Sequence, residues 1–288
     1  MAGPERLGVI GGSGFYRLVD DVEHVRVDTP YGATSGPIAL GEVEGRAVAF
    51  VARHGSDHEL PPHRVNYRAN LWALHALGAR RVLGPCAAGS LQPSIHPGDF
   101  VVCDQLVDRT SGRAATFFDG PETNHLAFAD PYCPELRSAL SHAGRSCAVS
   151  VVEAGTVVVV QGPRFSTRAE SRWHRAQGWD VVNMTQSPEA PLARELGLCY
   201  ATVALVTDYD TGVEDAAAAD PTVLSSLKGT SCGPATKERG EAVSQEAVFA
   251  FFQENLGRLR DVLFAAIAAI PTQPGAACGC AASGRAVR

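Results

Sequence analysis

Thr202-Val-Ala-Leu-Val-Thr-Asp-Tyr-Asp210 is an apolar, β-branched run that ends on two carboxylates. Such a run reads as a buried strand. Asp208 and Asp210 stand at i and i+2, so on an extended segment their side chains share a face. A carboxyl pair at a strand's end suits the edge of a nitrogen heterocycle. One carboxyl can hold a proton on a ring nitrogen while the other accepts from an exocyclic amine. The plain alternative is a polar turn after a strand.

The segments around this run decide the fold. Residues 199–207 form the strand that delivers Asp208, and Ser187-Pro188 begins a helix that ends at Gly197. Residues 156–160 and 181–184 read as strands. Between them, Thr167 followed by Glu170 is a capping-box start, and that helix stops at Gly178. Residues 7–10 are a strand breaking into Gly11-Gly-Ser-Gly14. Residues 38–43 and 47–52 read as a hairpin turning at Glu44-Gly45. Pro61-Pro62 opens a helix through Leu77, stopped by Gly78. Residues 81–83 are a short strand running into a small-residue loop at 84–90, and 100–103 are another strand. A last helix from 244 to 270 repeats Val248, Phe252, Leu256, Leu259, Leu263, Ile267 and Ile270 at steps of three and four.

Strands alternating with helices define the α/β class, and the hairpin makes the sheet mixed. The expectation is a single domain over residues 1–288, a mixed central β-sheet flanked by helices. Residues 214–239, rich in Ala, Ser, Gly and Thr, are expected to be a mobile insertion, and 271–288 a disordered tail.

The bulk numbers narrow the function. Of 288 residues 45% are hydrophobic and 19% charged, which suits a globular protein with a sizeable core. The net charge of −6 and the lack of a basic stripe argue against nucleic-acid binding. No apolar run reaches the about 20 residues that span a bilayer. The N-terminus enters a strand without a signal-peptide pattern, so a cytoplasmic protein is expected. The eight cysteines are scattered, as in a reducing compartment. Three readings are open for Cys278-Gly-Cys280: a strained local disulfide, a pair of ligands for a soft metal, or two exposed thiols on a disordered tail. The surrounding small residues favour the last.

Four loops at strand ends carry polar chemistry. Gly11-Gly-Ser-Gly14 can turn tightly and offer backbone N–H groups to an anion, with Ser13 adding a hydroxyl. The dinucleotide-binding fingerprint fails there, because Arg17 stands where its third glycine is required. Arg53-His54 brings a planar fork and a donor of tunable charge to another strand end. The plain alternatives are a surface arginine and a structural histidine. His54, His58 and His63 suggest a metal, but Gly55 and Pro61-Pro62 disfavour the helix that would align them, and no metal is expected. The small residues of 84–90 leave N–H groups open to a ligand. Thr185 beside Asn183-Met184 is a further hydroxyl donor, whereas a methionine ending a strand is more often core. Ligand sites in α/β sheets form where such loops converge.

Together these stretches resemble the methylthioadenosine phosphorylase branch of the trimeric purine nucleoside phosphorylases. The matching runs are Gly8-Val-Ile-Gly-Gly-Ser-Gly14, Val27-Asp-Thr-Pro-Tyr-Gly32, Ala52-Arg-His-Gly55 and Val65-Asn-Tyr-Arg-Ala-Asn-Leu-Trp-Ala73. Gly89-Ser-Leu91, Pro97-Gly-Asp99, Gly162-Pro-Arg-Phe-Ser166, Asn183-Met-Thr185 and Thr207-Asp-Tyr-Asp210 continue the pattern. The resemblance implies phosphorolysis: inorganic phosphate, a co-substrate, attacks C1′ of a purine nucleoside, and no cofactor is needed. It implies that Ser13, Arg53, His54, the Ala87 backbone and Thr185 hold phosphate. Met184 would lie on the ribose and Phe165 on the purine. Asp208, its pKa raised by a dry site beside a second carboxylate, would serve the departing base, and Asp210 would accept from the 6-amino group. Relatives acting on 6-oxopurines carry an amide where Asp208 stands and a glutamate where Ser166 stands, so these residues favour a 6-aminopurine. A homotrimer is implied too.

The chain departs from that pattern in three places. Pro85-Cys86 replace threonines of the phosphate loop, and a thiol is a poorer donor than a hydroxyl. The insertion at 214–239 reads either as a lid over the sugar or as a solvent-exposed excursion. Gln245, Val248 and Phe249 occupy the start of the last helix, where the resemblance places an apolar 5′-methylthio pocket. Gln245 either reads a 5′-hydroxyl or faces solvent behind a Ser244 cap. The alternatives are therefore a phosphorylase for adenosine, another 5′-modified adenosine or methylthioinosine and, from a different class, a non-catalytic purine sensor.

Overall fold

The computed structural model describes residues 5–213, 243–272 and 278–284. Residues 214–239 lie outside the described residues. In chain order the N-terminal elements are β1 (Arg6–Gly11), β2 (Glu23–Val25), β3 (Ile38–Val43), β4 (Arg46–Ala52), α1 (Tyr67–Ala76), β5 (Ala79–Leu83) and β6 (Cys86–Ser90). The middle holds β7 (Phe100–Val101), β8 (Gln105–Arg109), α2 (Pro134–Ser146), β9 (Val151–Val152), β10 (Thr156–Val160) and α3 (Arg168–Ala176). Then come β11 (Val181–Asn183), α4 (Gln186–Glu195), β12 (Cys199–Ala201), β13 (Ala204–Tyr209), α5 (Gln245–Ala269) and α6 (Cys280–Ser283).

The expected mixed sheet divides into two ladders. One runs β12-β5-β1-β4-β3-β2 and the other β8-β10-β11-β6-β13-β7-β9. Two bent strand pairs join them. β5 continues into β6 and β12 into β13, and between the ladders Gly84 N–H donates to Ala201 O at 2.9 Å and Cys86 N–H to Val203 O at 3.2 Å. Strands that bend from one sheet into another make such corners. Only glycine fits this one, since a Cβ on Gly84 would stand 2.2 Å from the Tyr200 hydroxyl.

Local chemistry explains most elements. β3 and β4 pair antiparallel with Val43 opposite Arg46, and Glu44 and Gly45 both take positive φ (49° and 72°), the signature of a two-residue turn that follows strand twist. The capping box is complete: Glu170 N–H donates to Thr167 Oγ1 at 3.2 Å and Thr167 N–H to the Glu170 carboxylate at 2.7 Å. α5 is capped by Ser244, whose hydroxyl oxygen accepts from Ala247 N–H at 3.1 Å. It buries Phe252, Leu259, Leu263 and Ile267, each worth about 1.5–3 kcal/mol when fully buried.

Three expectations are corrected. Pro61-Pro62 does not open the first long helix. Residues Pro62–Arg64 make one 3₁₀ turn, Val65 is extended, and α1 starts after Asn66, whose side chain accepts from Ala69 N–H. Residues 86–90 are a strand rather than a loop. β6 lies between β11 and β13 in the second ladder, and pairing on both sides overrides the weak strand preference of Ala, Gly and Ser. The tail does not expose two thiols: Cys280 is buried, Cys278 half-buried, and residues 280–283 form α6. α2, behind Cys133 and Pro134, was not among the expected helices.

Candidate active site

A cleft of about 340 Å³ opens where β1, β4, β6, β11 and β13 end and the first turns of α5 approach. The structure brings all thirteen sequence-derived candidates to its wall: Ser13, Arg53, His54, Ala87, Phe165, Ser166, Met184, Thr185, Asp208, Asp210, Gln245, Val248 and Phe249.

The end expected to hold an anion is built on β1 and β4, which run parallel with Gly11 opposite Ala52. Gly11 must lack a side chain, since its Cβ would stand 2.2 Å from Phe15 O. Arg53 is fully buried, and its fork is largely spent on protein. Nε and Nη2 donate to the two oxygens of Glu189, Nη2 also to Ile10 O, and Nη1 to Pro85 O. One Nη1 N–H is left, beside Gly12. Burial opposes the guanidinium charge, and the Glu189 carboxylate more than offsets this, so the pKa of Arg53 lies above its ordinary value. The planar fork of Arg53 therefore brings one N–H and an already paired charge to the cleft.

His54 presents a different face from the expected donor. Its Nδ1 lies 2.8 Å from Leu60 O, and a carbonyl can only accept, so Nδ1 carries the hydrogen. Burial, and then the charge of Arg53, push its pKa down to about 3. The ring is neutral near pH 7 and Nε2 is an acceptor, suited to an O–H of monohydrogen phosphate. The linkage follows. Between pH 6.5 and about 3 the unfolded chain binds a proton at His54 that the folded chain does not. His54 thus contributes stability that is present above the unfolded pKa and lost as pH falls through that window. In phosphate-free buffer, the thermal midpoint of His54→Gln is expected to fall less steeply than that of the parent between pH 6.5 and 4. Parallel slopes would contradict the buried neutral histidine.

Thr185 is buried and makes no cap bond to α4, so its hydroxyl is open to the cleft it lines. Cys86, standing where a hydroxyl donor was in question, is packed into a polar network. Its sulfur accepts from Asn183 Nδ2 at 3.2 Å and lies 3.6 Å from Thr202 Oγ1.

The opposite end is built on β6 and β13. Their parallel register shifts between Val206 and Asp208, a bulge that re-aims the strand end, and Asp208 falls opposite Gly89. A Cβ on Gly89 would stand 3.4 Å from Asp208 Oδ2 and 3.3 Å from Val182 Cγ1, so the floor between the carboxylates is kept clear. Asp208 is half-buried and accepts from the Thr207 hydroxyl at 2.7 Å. Asp210 is buried, and its pKa is raised: burial drives it up, opposed by the Ser171 and Ser166 hydroxyls. Its Oδ2 has no hydrogen-bond partner among the described residues.

The Met184 wall of the cleft is held from outside. Arg113 Nη1 donates to Met184 O at 2.9 Å and Ser187 O at 2.6 Å, and Nη2 donates to Gln161 O at 2.8 Å. Gly162 takes φ 60° under Met184, whose sulfur would stand 2.5 Å from any Cβ there. At the mouth, Phe249 meets the His58 ring edge to face at 4.9 Å, and Val248 shares that wall. Gln245 is exposed at the rim. Sequence reading missed Glu189 and Arg113. Neither sits in a recognisable local pattern, and Glu189 meets Arg53 across 136 positions of chain.

The residues expected to hold an anion and the carboxylate pair thus line one strand-end cleft. The Phosphorylase superfamily model matches residues 6–231, and the chain belongs to that superfamily. It is similar to a purine nucleoside phosphorylase of Streptomyces coelicolor, 53% identical over 96% of this chain and 93% of the relative. It is also similar to an S-methyl-5′-thioadenosine phosphorylase of Mycolicibacterium smegmatis, 51% identical over 93% and 92% of the two chains. Among solved structures it resembles the methylthioadenosine phosphorylase of Schistosoma mansoni in complex with adenine. That match has a TM-score of 0.82 and 36% identity, covering 94% of this chain and 93% of the other.

Proposed function

We propose that the chain catalyses phosphorolysis of 5′-deoxy-5′-(methylthio)adenosine to adenine and 5-methylthioribose 1-phosphate. The observation that carries this reading is the buried Oδ2 of Asp210, without a partner among the described residues, in a cleft whose far end gathers anion donors. A 6-amino group supplies the missing donor.

Phosphate rests among Ser13, Thr185, the Ala87 backbone and the free Nη1 N–H of Arg53, and gives an O–H to His54 Nε2. Its oxygen bonds to C1′ as the C1′–N9 bond breaks and the electron pair moves onto the purine. Asp208 shares a proton with N7 and relieves that charge, while Asp210 accepts from the 6-amino group. Phe165 lies on the base and Met184 against the ribose. Phosphate is a co-substrate, and the reaction needs no cofactor. Among the described residues no helix is long and apolar enough to cross a membrane. The family resemblance supports a cytoplasmic homotrimer.

The test is base release from methylthioadenosine, adenosine, methylthioinosine and inosine in parallel, led by methylthioadenosine. A lead for a 6-oxopurine nucleoside would overturn the reading. A second reading, preference for adenosine, draws on Gln245 at the rim. Gln245→Val is expected to raise the ratio of kcat/KM for methylthioadenosine over adenosine by about tenfold, the scale of one lost hydrogen bond. An unchanged ratio would leave Gln245 a surface residue.

A further inference from the structure

Away from the cleft, four cysteines converge. Cys133 caps α2, Cys199 begins β12, and Cys278 and Cys280 flank Gly279 in the C-terminal segment. Their sulfurs all lie within 4.8 Å of one another. Cys278 Sγ is 3.2 Å from Cys199 Sγ and 3.8 Å from Cys133 Sγ. Four sulfurs placed tetrahedrally about 2.3 Å from a zinc ion lie about 3.8 Å apart, in the middle of that range.

The C-terminal segment has little else to hold it. Residues 278–284 offer only Cys, Gly, Ala and Ser. Their small side chains bury too little apolar area to offset an ordering cost of about 1–2 kcal/mol per residue. Yet Cys280 is 2% exposed. Gly284 packs backbone to backbone on Gly197, where a Cβ would stand 2.5 Å from Gly197 Cα. Metal–thiolate bonds would supply the missing free energy, because a structural zinc site contributes directly to folding.

We propose that Cys133, Cys199, Cys278 and Cys280 form a structural site for one thiophilic divalent cation, zinc first, which staples the C-terminal segment to α2, β12 and α4. Binding replaces four S–H bonds by four metal–sulfur bonds and releases four protons. With four protein ligands no position is left open for a substrate, so the role is structural. This departs from the sequence expectation of no metal. The rival use of the four thiols is two disulfides.

The test uses the full-length protein, purified under reducing conditions without chelator. Elemental analysis is expected to find one zinc per chain. Cobalt exchange is expected to give the intense thiolate-to-metal charge-transfer absorption and visible bands of a tetrahedral site. Cys278→Ser with Cys280→Ser is expected to abolish both and lower the thermal midpoint, while phosphorolysis at low temperature persists and reports a folded chain. Metal-free protein in which all four thiols titrate, peptide mapping that finds two disulfides, or cobalt bands that survive the double exchange would each overturn the proposal.

Discussion

Glu189→Ala is expected to destabilise the protein by about 3–5 kcal/mol, the cost of stranding a buried charge. Arg53 is fully enclosed, and Glu189 takes both Nε and Nη2. The Tyr200 hydroxyl donates to the same carboxylate at 2.7 Å, so truncation orphans two buried groups. Glu189→Gln keeps the shape and removes the charge, which separates packing from electrostatics. Denaturant unfolding reads the stability, and the KM for phosphate reads the site. Arg53 would turn towards other acceptors and lose its one N–H beside Gly12, so that KM rises in both variants while the KM for nucleoside moves less. A loss under about 1 kcal/mol would mean that water reaches Arg53 and that the pair is not the frame of the anion end.

Asp208→Asn is expected to lower kcat on methylthioadenosine by about 10²–10³, the usual scale for removing one group that stabilises developing charge. An amide can donate to a ring nitrogen but cannot share a proton with it. Adding Ser166→Glu then moves preference towards methylthioinosine and hypoxanthine. Glutamate would accept from N1–H of a 6-oxopurine, and it would also crowd Asp210, which the Ser166 hydroxyl now helps to hold ionised. The readout is the ratio of kcat/KM for the 6-amino and 6-oxo substrates. No movement of that ratio in the double variant would remove Asp208 and Ser166 from base recognition.

Much of the site was legible because its residues sit in short motifs at strand ends. Glycine loops, Arg53-His54 and Asp208-Tyr-Asp210 state their chemistry locally, and the α/β alternation implies that strand ends converge. What could not be read depends on tertiary pairing. Glu189 is one acidic residue in a helix until the fold sets it on Arg53. The enclosure of Asp210 is similar: the fold buries it more fully than Asp208, and burial raises its pKa. Residues 86–90 look like a loop because Ala and Gly lack strand preference, and they become a strand through neighbours on both sides. Cys278 and Cys280 suggest a loose tail until Cys133 and Cys199, 66 positions apart, are found beside them.

Phosphate, held at the Ser13–Arg53–Thr185 end, is proposed to be the nucleophile that releases adenine at the Asp208–Asp210 end. The direct measurement follows adenine and inorganic phosphate together during turnover of methylthioadenosine, with phosphate present and rigorously removed. One phosphate is expected to be consumed per adenine released, with release stopping when phosphate is withdrawn. Adenine release at an undiminished rate without phosphate would make water the nucleophile and contradict that role for phosphate.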